Sequence, residues 1–184
     1  MTDDDCASND LFVLCRFAER PLDRRLFLKL TGAGLVAAFP FAGFAAEGNY
    51  EAMVLSCIDP RFPALTLDYM KDRGMLGKYS QFVIAGAAIG VVAPAFNDWH
   101  KTFWDNLGAS IELHKIPKVI AINHRDCGAA KIAYGEAKVA NPQLETETHR
   151  AALTEFRKQV NERQLGLAVE TGLMGLEGKV EFFI

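Results

Sequence analysis

The sequence predicts an α/β protein with a mostly parallel central sheet flanked by helices, and three observations carry that expectation. The short runs AMVLS (52–56), QFVIA (81–85) and VIAI (119–122) are apolar almost throughout, as in strands covered on both faces. Segments with apolar residues at helical spacing lie between them. Proline and glycine punctuate most of the junctions.

The elements follow in order. AMVLS is the first strand, ended by Pro60 and Pro63, and 65–70 reads as a helix that Gly74 stops. QFVIA is the second strand, and GAAIG after it reads as a loop. Across 98–115, Phe103, Leu107 and Ile111 recur at helical spacing, with Pro117 closing the helix before VIAI. A helix is expected over 128–137, Asn141-Pro142 marks a loop, and 148–164 carries Ala152, Phe156 and Val160 on one helical face. KVEFFI alternates like an edge strand. Strands alternating with helices give the sheet its parallel character.

The chain has 184 residues and a net charge of −3, with 50% hydrophobic and 23% charged residues. That balance provides neither a basic surface for nucleic acid nor a polybasic membrane patch. Two segments are expected. Residues 1–46 contain DRRLFLKLTGAGLVAAFPFAGFAA, with Asp23, Arg24, Arg25, Phe27, Leu28 and Lys29 ahead of an apolar stretch that ends in small residues. This resembles a twin-arginine export signal with a long leader, and implies a periplasmic protein. If the signal is not processed, a cytoplasmic or membrane-anchored protein is implied instead. Residues 47–184 form the second segment, a single domain.

Removing the first segment takes Cys6 and Cys15 with it and leaves Cys57 and Cys127. In an exported chain such a pair suggests a disulfide, but a disulfide explains none of Asp59, Arg61 and His124. Cys57 follows the first strand, while His124 and Cys127 follow the third. Both groups therefore fall at the carboxyl edge of a parallel sheet, where ligands gather. His-x-x-Cys with a distant third Cys makes a Cys₂His set with an open fourth position, a catalytic zinc arrangement. If CIDPRF is extended, Cys57, Asp59 and Arg61 share one face. Asp59 can then bind the metal or accept a hydrogen bond beside it, and Arg61 can draw the carboxylate away in a two-pronged ion pair.

Together CIDPRF and HRDC resemble the Cys-x-Asp-x-Arg and His-x-x-Cys motifs of the β-class carbonic anhydrases. FVIAGAAIG and ASIELHKIPKVIAINHRDCGAAK are similar to that family's Ala-Gly turn and its helix, strand and zinc loop. The resemblance implies Zn²⁺ on Cys57, His124 and Cys127, with Asp59 as a fourth ligand in a closed form and Asp59–Arg61 as the catalytic dyad. It implies reversible hydration of carbon dioxide to bicarbonate by hydroxide on zinc. It also implies a homodimer or larger homo-oligomer, with no nucleic acid and no stable membrane partner after signal cleavage. Val83-Ile84, Pro60 and Asn123 depart from the family pattern, which normally has Arg-Asn, a small residue and Gly at those places. The departures keep two other readings open: a zinc hydrolase acting on COS or CS₂, and a catalytically weakened binding protein. His114 and His149 are candidates for moving a proton, though each reads first as an ordinary helix or surface histidine.

Overall fold

The computed structural model describes residues 49–183. The expected export segment, with Cys6 and Cys15, lies outside the described residues. Among the described residues five strands form one sheet in the order β2-β1-β3-β4-β5. They are β1 (Ala52–Ser56), β2 (Tyr79–Val83), β3 (Lys118–His124), β4 (Ala168–Met174) and β5 (Val180–Phe183). All neighbours pair in parallel except β4 and β5, which are antiparallel. The α/β expectation is met, and KVEFFI is the antiparallel edge.

Helices α1 (Pro63–Asp72), α2 (Ala88–Val92), α3 (Asn97–His114), α4 (Gly128–Tyr134) and α5 (Pro142–Arg163) connect the strands. Local chemistry sets several of their ends. Pro63 and Pro142 stand in the first turns of α1 and α5, where the missing N–H costs nothing. Asn141 Oδ1 caps α5 by accepting from Leu144 N at 3.0 Å. Lys115, left-handed at φ 52°, turns the chain out of α3 toward β3. Among the described residues no helix is long and apolar enough to cross a membrane.

The two-residue period of the strands sorts the core into two layers. Met53, Leu55, Val119 and Ala121 face Phe103, Leu107, Leu153, Phe156 and Val160 of α3 and α5. Ala52, Val54, Ile120 and Ile122 face Phe62, Met70 and Met75 on the α1 side. Every residue of β1 is buried, as its uninterrupted apolar run requires.

Several boundaries differ from the sequence expectation: α1 and β3 each extend one or two residues beyond both expected ends, and larger departures lie elsewhere. The second strand is Tyr79–Val83 rather than 81–85, and α5 begins at Pro142, six residues early. The segment read as a single helix over 128–137 breaks at Gly135 (φ 86°) and resumes as a 3₁₀ turn, Glu136–Val139. GAAIG is not a loop, because its last three residues begin α2. A Cβ at Gly90 would collide with the Ala85 carbonyl oxygen, so the glycine permits a close chain approach rather than marking a break. Strand β4, AVETGLM, has no place in the sequence reading: its charged, polar and glycine residues hide it. Glu170 is neutralised from both sides, by Arg73 at 2.7 Å and Lys118 at 2.9 Å.

Candidate metal centre

Strands β1 and β3 are parallel neighbours with Leu55 opposite Ala121, so their carboxyl ends leave the sheet side by side. Cys57 follows β1, His124 ends β3, and Cys127 immediately precedes α4. All three are buried, and their ligand atoms lie within 4.8 Å of one another. Both cysteines are free thiols.

Two of the donors are aimed by neighbours. His124 Nδ1 lies 2.8 Å from the Arg125 carbonyl oxygen. A carbonyl only accepts, so Nδ1 carries the proton and Nε2 presents a bare lone pair. That Nε2 atom is buried without a hydrogen-bond partner among the described residues. The Phe62 ring stacks on the imidazole at 4.0 Å between centroids and fixes its plane. Cys57 Sγ accepts a hydrogen bond from Gly86 N at 3.1 Å.

The electrostatics favour a sulfur anion on Cys57 and a thiol on Cys127. The Cys57 thiol is pulled well down by the Cys127 S–H that donates to it, against the effect of burial, and His124 and the Gly86 N–H add to the pull. The Cys127 thiol is pushed up because its proton is engaged on Cys57 and because it is buried. Burial opposes the charging of His124, but the Arg125 carbonyl and the nearby Cys57 and Asp59 outweigh that and raise its pKa. Two close sulfurs, a buried lone pair and little solvent form a donor set that a soft-to-borderline divalent cation satisfies.

Asp59 and Arg61 meet by a different route from the one expected. The stretch is not extended through Arg61, because Phe62 N bonds the Asp59 carbonyl at 3.1 Å and closes a turn. Inside that turn Asp59 Oδ1 accepts from Arg61 N and Nε, each at 3.0 Å, and Oδ2 accepts from Nη2 at 2.7 Å. The Arg61 bonds hold the Asp59 carboxyl down at about 2. Asp59 is not one of the three clustered donors; in this arrangement its carboxylate belongs to Arg61.

Asp126, which the sequence reading passed over, completes the arrangement. Its Oδ2 and backbone oxygen accept from Arg61 Nη1 at 2.9 Å and Nη2 at 3.0 Å. Its Oδ1 accepts from Lys131 at 3.1 Å, and its N–H donates to Glu145 Oε1 at 2.6 Å. Asp126 adopts φ 54°, a conformation that Asp tolerates better than most residues and that lets the loop between His124 and Cys127 turn tightly. The available signal was an acid between two candidate ligands, without a visible partner.

The two histidines considered for moving a proton separate. His114 ends α3 beside Tyr50, ahead of β1, and so lies at the opposite end of the sheet from the donors. His149 is not a surface residue: it is fully buried on α5 and bonded to Asn123, the neighbour of His124.

The fold is that of the β-carbonic anhydrases. A Coccomyxa β-carbonic anhydrase in complex with acetazolamide superimposes with a TM-score of 0.53 at 15% identity, covering 96% of this chain and 87% of that one. A tetrameric β-carbonic anhydrase from Sordaria macrospora gives 0.52 at 13% identity over 95% and 92% of the two chains. No family model matches the chain. Uncharacterized proteins of Rickettsia bellii and Rickettsia conorii are each 33% identical over 131 residues, which is 71% of this chain and 80% and 70% of theirs. The chain belongs to one family with these two rickettsial proteins.

Proposed function

We propose that this protein is a zinc-dependent carbonic anhydrase that interconverts carbon dioxide and bicarbonate. The observation that carries the reading is the convergence of Cys57, His124 and Cys127, with the bare Nε2 of His124 turned away from its only partnered nitrogen. In this reading those three residues hold Zn²⁺, and the ion supplies the Lewis acidity that brings the ionisation of water close to neutral pH.

The chain's own residues supply the rest. Asp59 stays ionised because Arg61 holds it, so it acts as an acceptor and not as an acid near neutral pH. Three of its four acceptor sites are taken by Arg61, and the fourth, on Oδ2, is left for the attacking water. A water fixed there directs its lone pair to the carbon of CO₂, and the products are bicarbonate and one proton. Arg61, braced by Asp126, would keep Asp59 from joining the three donors on the ion, and release of that pair would let it do so. A homo-oligomer, as in the tetrameric enzyme of Sordaria macrospora, is part of the proposal. So is twin-arginine export to the periplasm, which rests on the sequence of residues 1–46 alone.

A second reading is favoured by Val83 and Ile84, aliphatic residues leading into the turn whose Gly86 N–H touches Cys57. They suit an apolar linear substrate such as COS or CS₂. Stopped-flow hydration of CO₂ by the zinc-loaded protein, with COS and CS₂ run alongside, decides between the two. Asp59→Ala is expected to keep one zinc per chain and to lose roughly a hundredfold or more in rate. Parental turnover by that variant would remove Asp59 from the mechanism.

A further inference from the structure

Asn123 and His149 are fully buried polar side chains that the proposed chemistry does not use. Asn123 stands on β3 beside a proposed ligand. Burying a primary amide is costly unless its donor and acceptor are matched, and here both are matched by groups far away in sequence. Asn123 Oδ1 accepts from Ala88 N at 3.0 Å, and Asn123 Nδ2 lies 3.1 Å from His149 Nδ1. A backbone N–H only donates, so the amide orientation is fixed. An NH₂ group only donates, so His149 Nδ1 accepts and the ring carries its single proton on Nε2.

The segment that Asn123 grips is a strained one. Ile84 O accepts from Ala87 N at 3.0 Å, closing a turn in which Gly86 has φ 79°. Ala87 follows at φ 50°, ψ −115°, a sparsely populated conformation for a residue with a Cβ. Strain of that kind persists only where surrounding contacts over-determine the backbone. Gly86 N, on one side of Ala87, donates to the Cys57 sulfur, and Ala88 N, on the other, donates to Asn123.

We infer that Asn123, oriented by His149, is a positioning residue that clamps the Gly86–Ala88 turn so that the Gly86 N–H bears on the Cys57 sulfur. The inference rests on the metal reading only for its consequence, that sulfur donor strength and metal affinity are set through Asn123. The clamp itself is a property of the chain.

The test compares the parental protein with Asn123→Leu, which keeps the volume and removes both hydrogen bonds. Amide hydrogen exchange at Gly86 and Ala88 is expected to quicken at least tenfold. With cobalt(II) as probe, the thiolate-to-metal absorption is expected to move to longer wavelength, because Cys57 loses an N–H donor. Zinc affinity is expected to fall about tenfold to a hundredfold, the usual effect of losing a partner of a metal ligand. His149→Gln, which keeps an acceptor for Asn123, is expected to leave all three readouts within threefold or unshifted. Unchanged exchange at both amides in Asn123→Leu overturns the inference. If that variant does not fold, His149→Phe takes its place: faster Ala88 exchange supports the clamp, and parental exchange overturns it. If the parental protein binds no metal, the metal reading falls, and the exchange data still decide the clamp.

Discussion

Replacing His149 with glutamine should remove a pH dependence of stability that burial imposes on the parental fold. The ring is fully buried, and burial, with His124 and Arg125 nearby, depresses its pKa from 6.5 to about 4. A histidine with a lowered pKa stays neutral in the native state while the unfolded chain takes up a proton. The unfolded state therefore binds more protons between about pH 6.5 and pH 4, and stability falls as the pH falls through that window. At pH 5 the unfolded histidine is almost fully charged and the native one almost fully neutral, so the loss relative to pH 7.5 is about 2 kcal/mol. The assay is urea unfolding at pH 7.5 and pH 5.0 for the parental protein and for His149→Gln, read as the difference between the two, which cancels the other titrations. The parental protein is expected to lose about 2 kcal/mol more than the variant over this interval. Equal losses in the two proteins would refute the reasoning and place His149 where protons reach it freely.

Arg61→Lys gives up the forked hold on Asp59 while keeping the charge. The Asp59 carboxyl is expected to rise from about 2 toward the ordinary aspartate range, observable by NMR titration, and hydration is expected to slow about tenfold or more with zinc retained. Gly86→Ala places a Cβ 3.0 Å from the Ala129 Cβ at φ 79°, so it should cost about 1–3 kcal/mol in chemical unfolding and loosen the proposed metal site. Phe103→Ala empties the centre of the larger core layer, where Phe103 packs on Phe82, Trp104 and Phe156, and should cost about 3–5 kcal/mol without changing metal stoichiometry.

Strands β1 and β3 were legible because parallel strands buried on both faces need an unbroken apolar run, and little else in the chain supplies one. Strand β4 was not, because its Glu170 is tolerated through ion pairs to Arg73 and Lys118, which only the folded chain brings together. Helix α2 was hidden by the glycines that its close packing requires. At the site the trio was legible from residue type and from the position of each member after a strand. The contact between Asp59 and Arg61 was expected, but through alternation, whereas a tight turn makes it. Asp126 and the pair of Asn123 and His149 were beyond reach. Their partners lie 65 and 26 residues away, and no local spacing encodes such meetings.

Because the donors hang from two adjacent rows of the sheet, their spacing is governed by how those rows are aligned. An insertion in a surface connection leaves the alignment of Leu55 with Ala121 untouched and should be harmless to the cage. A slip of one residue between the rows would carry the Cys57 sulfur about 3.3 Å along its strand and turn it toward the other layer. Mispairing during synthesis, far more than any surface change, is therefore the error against which this chain has to be protected.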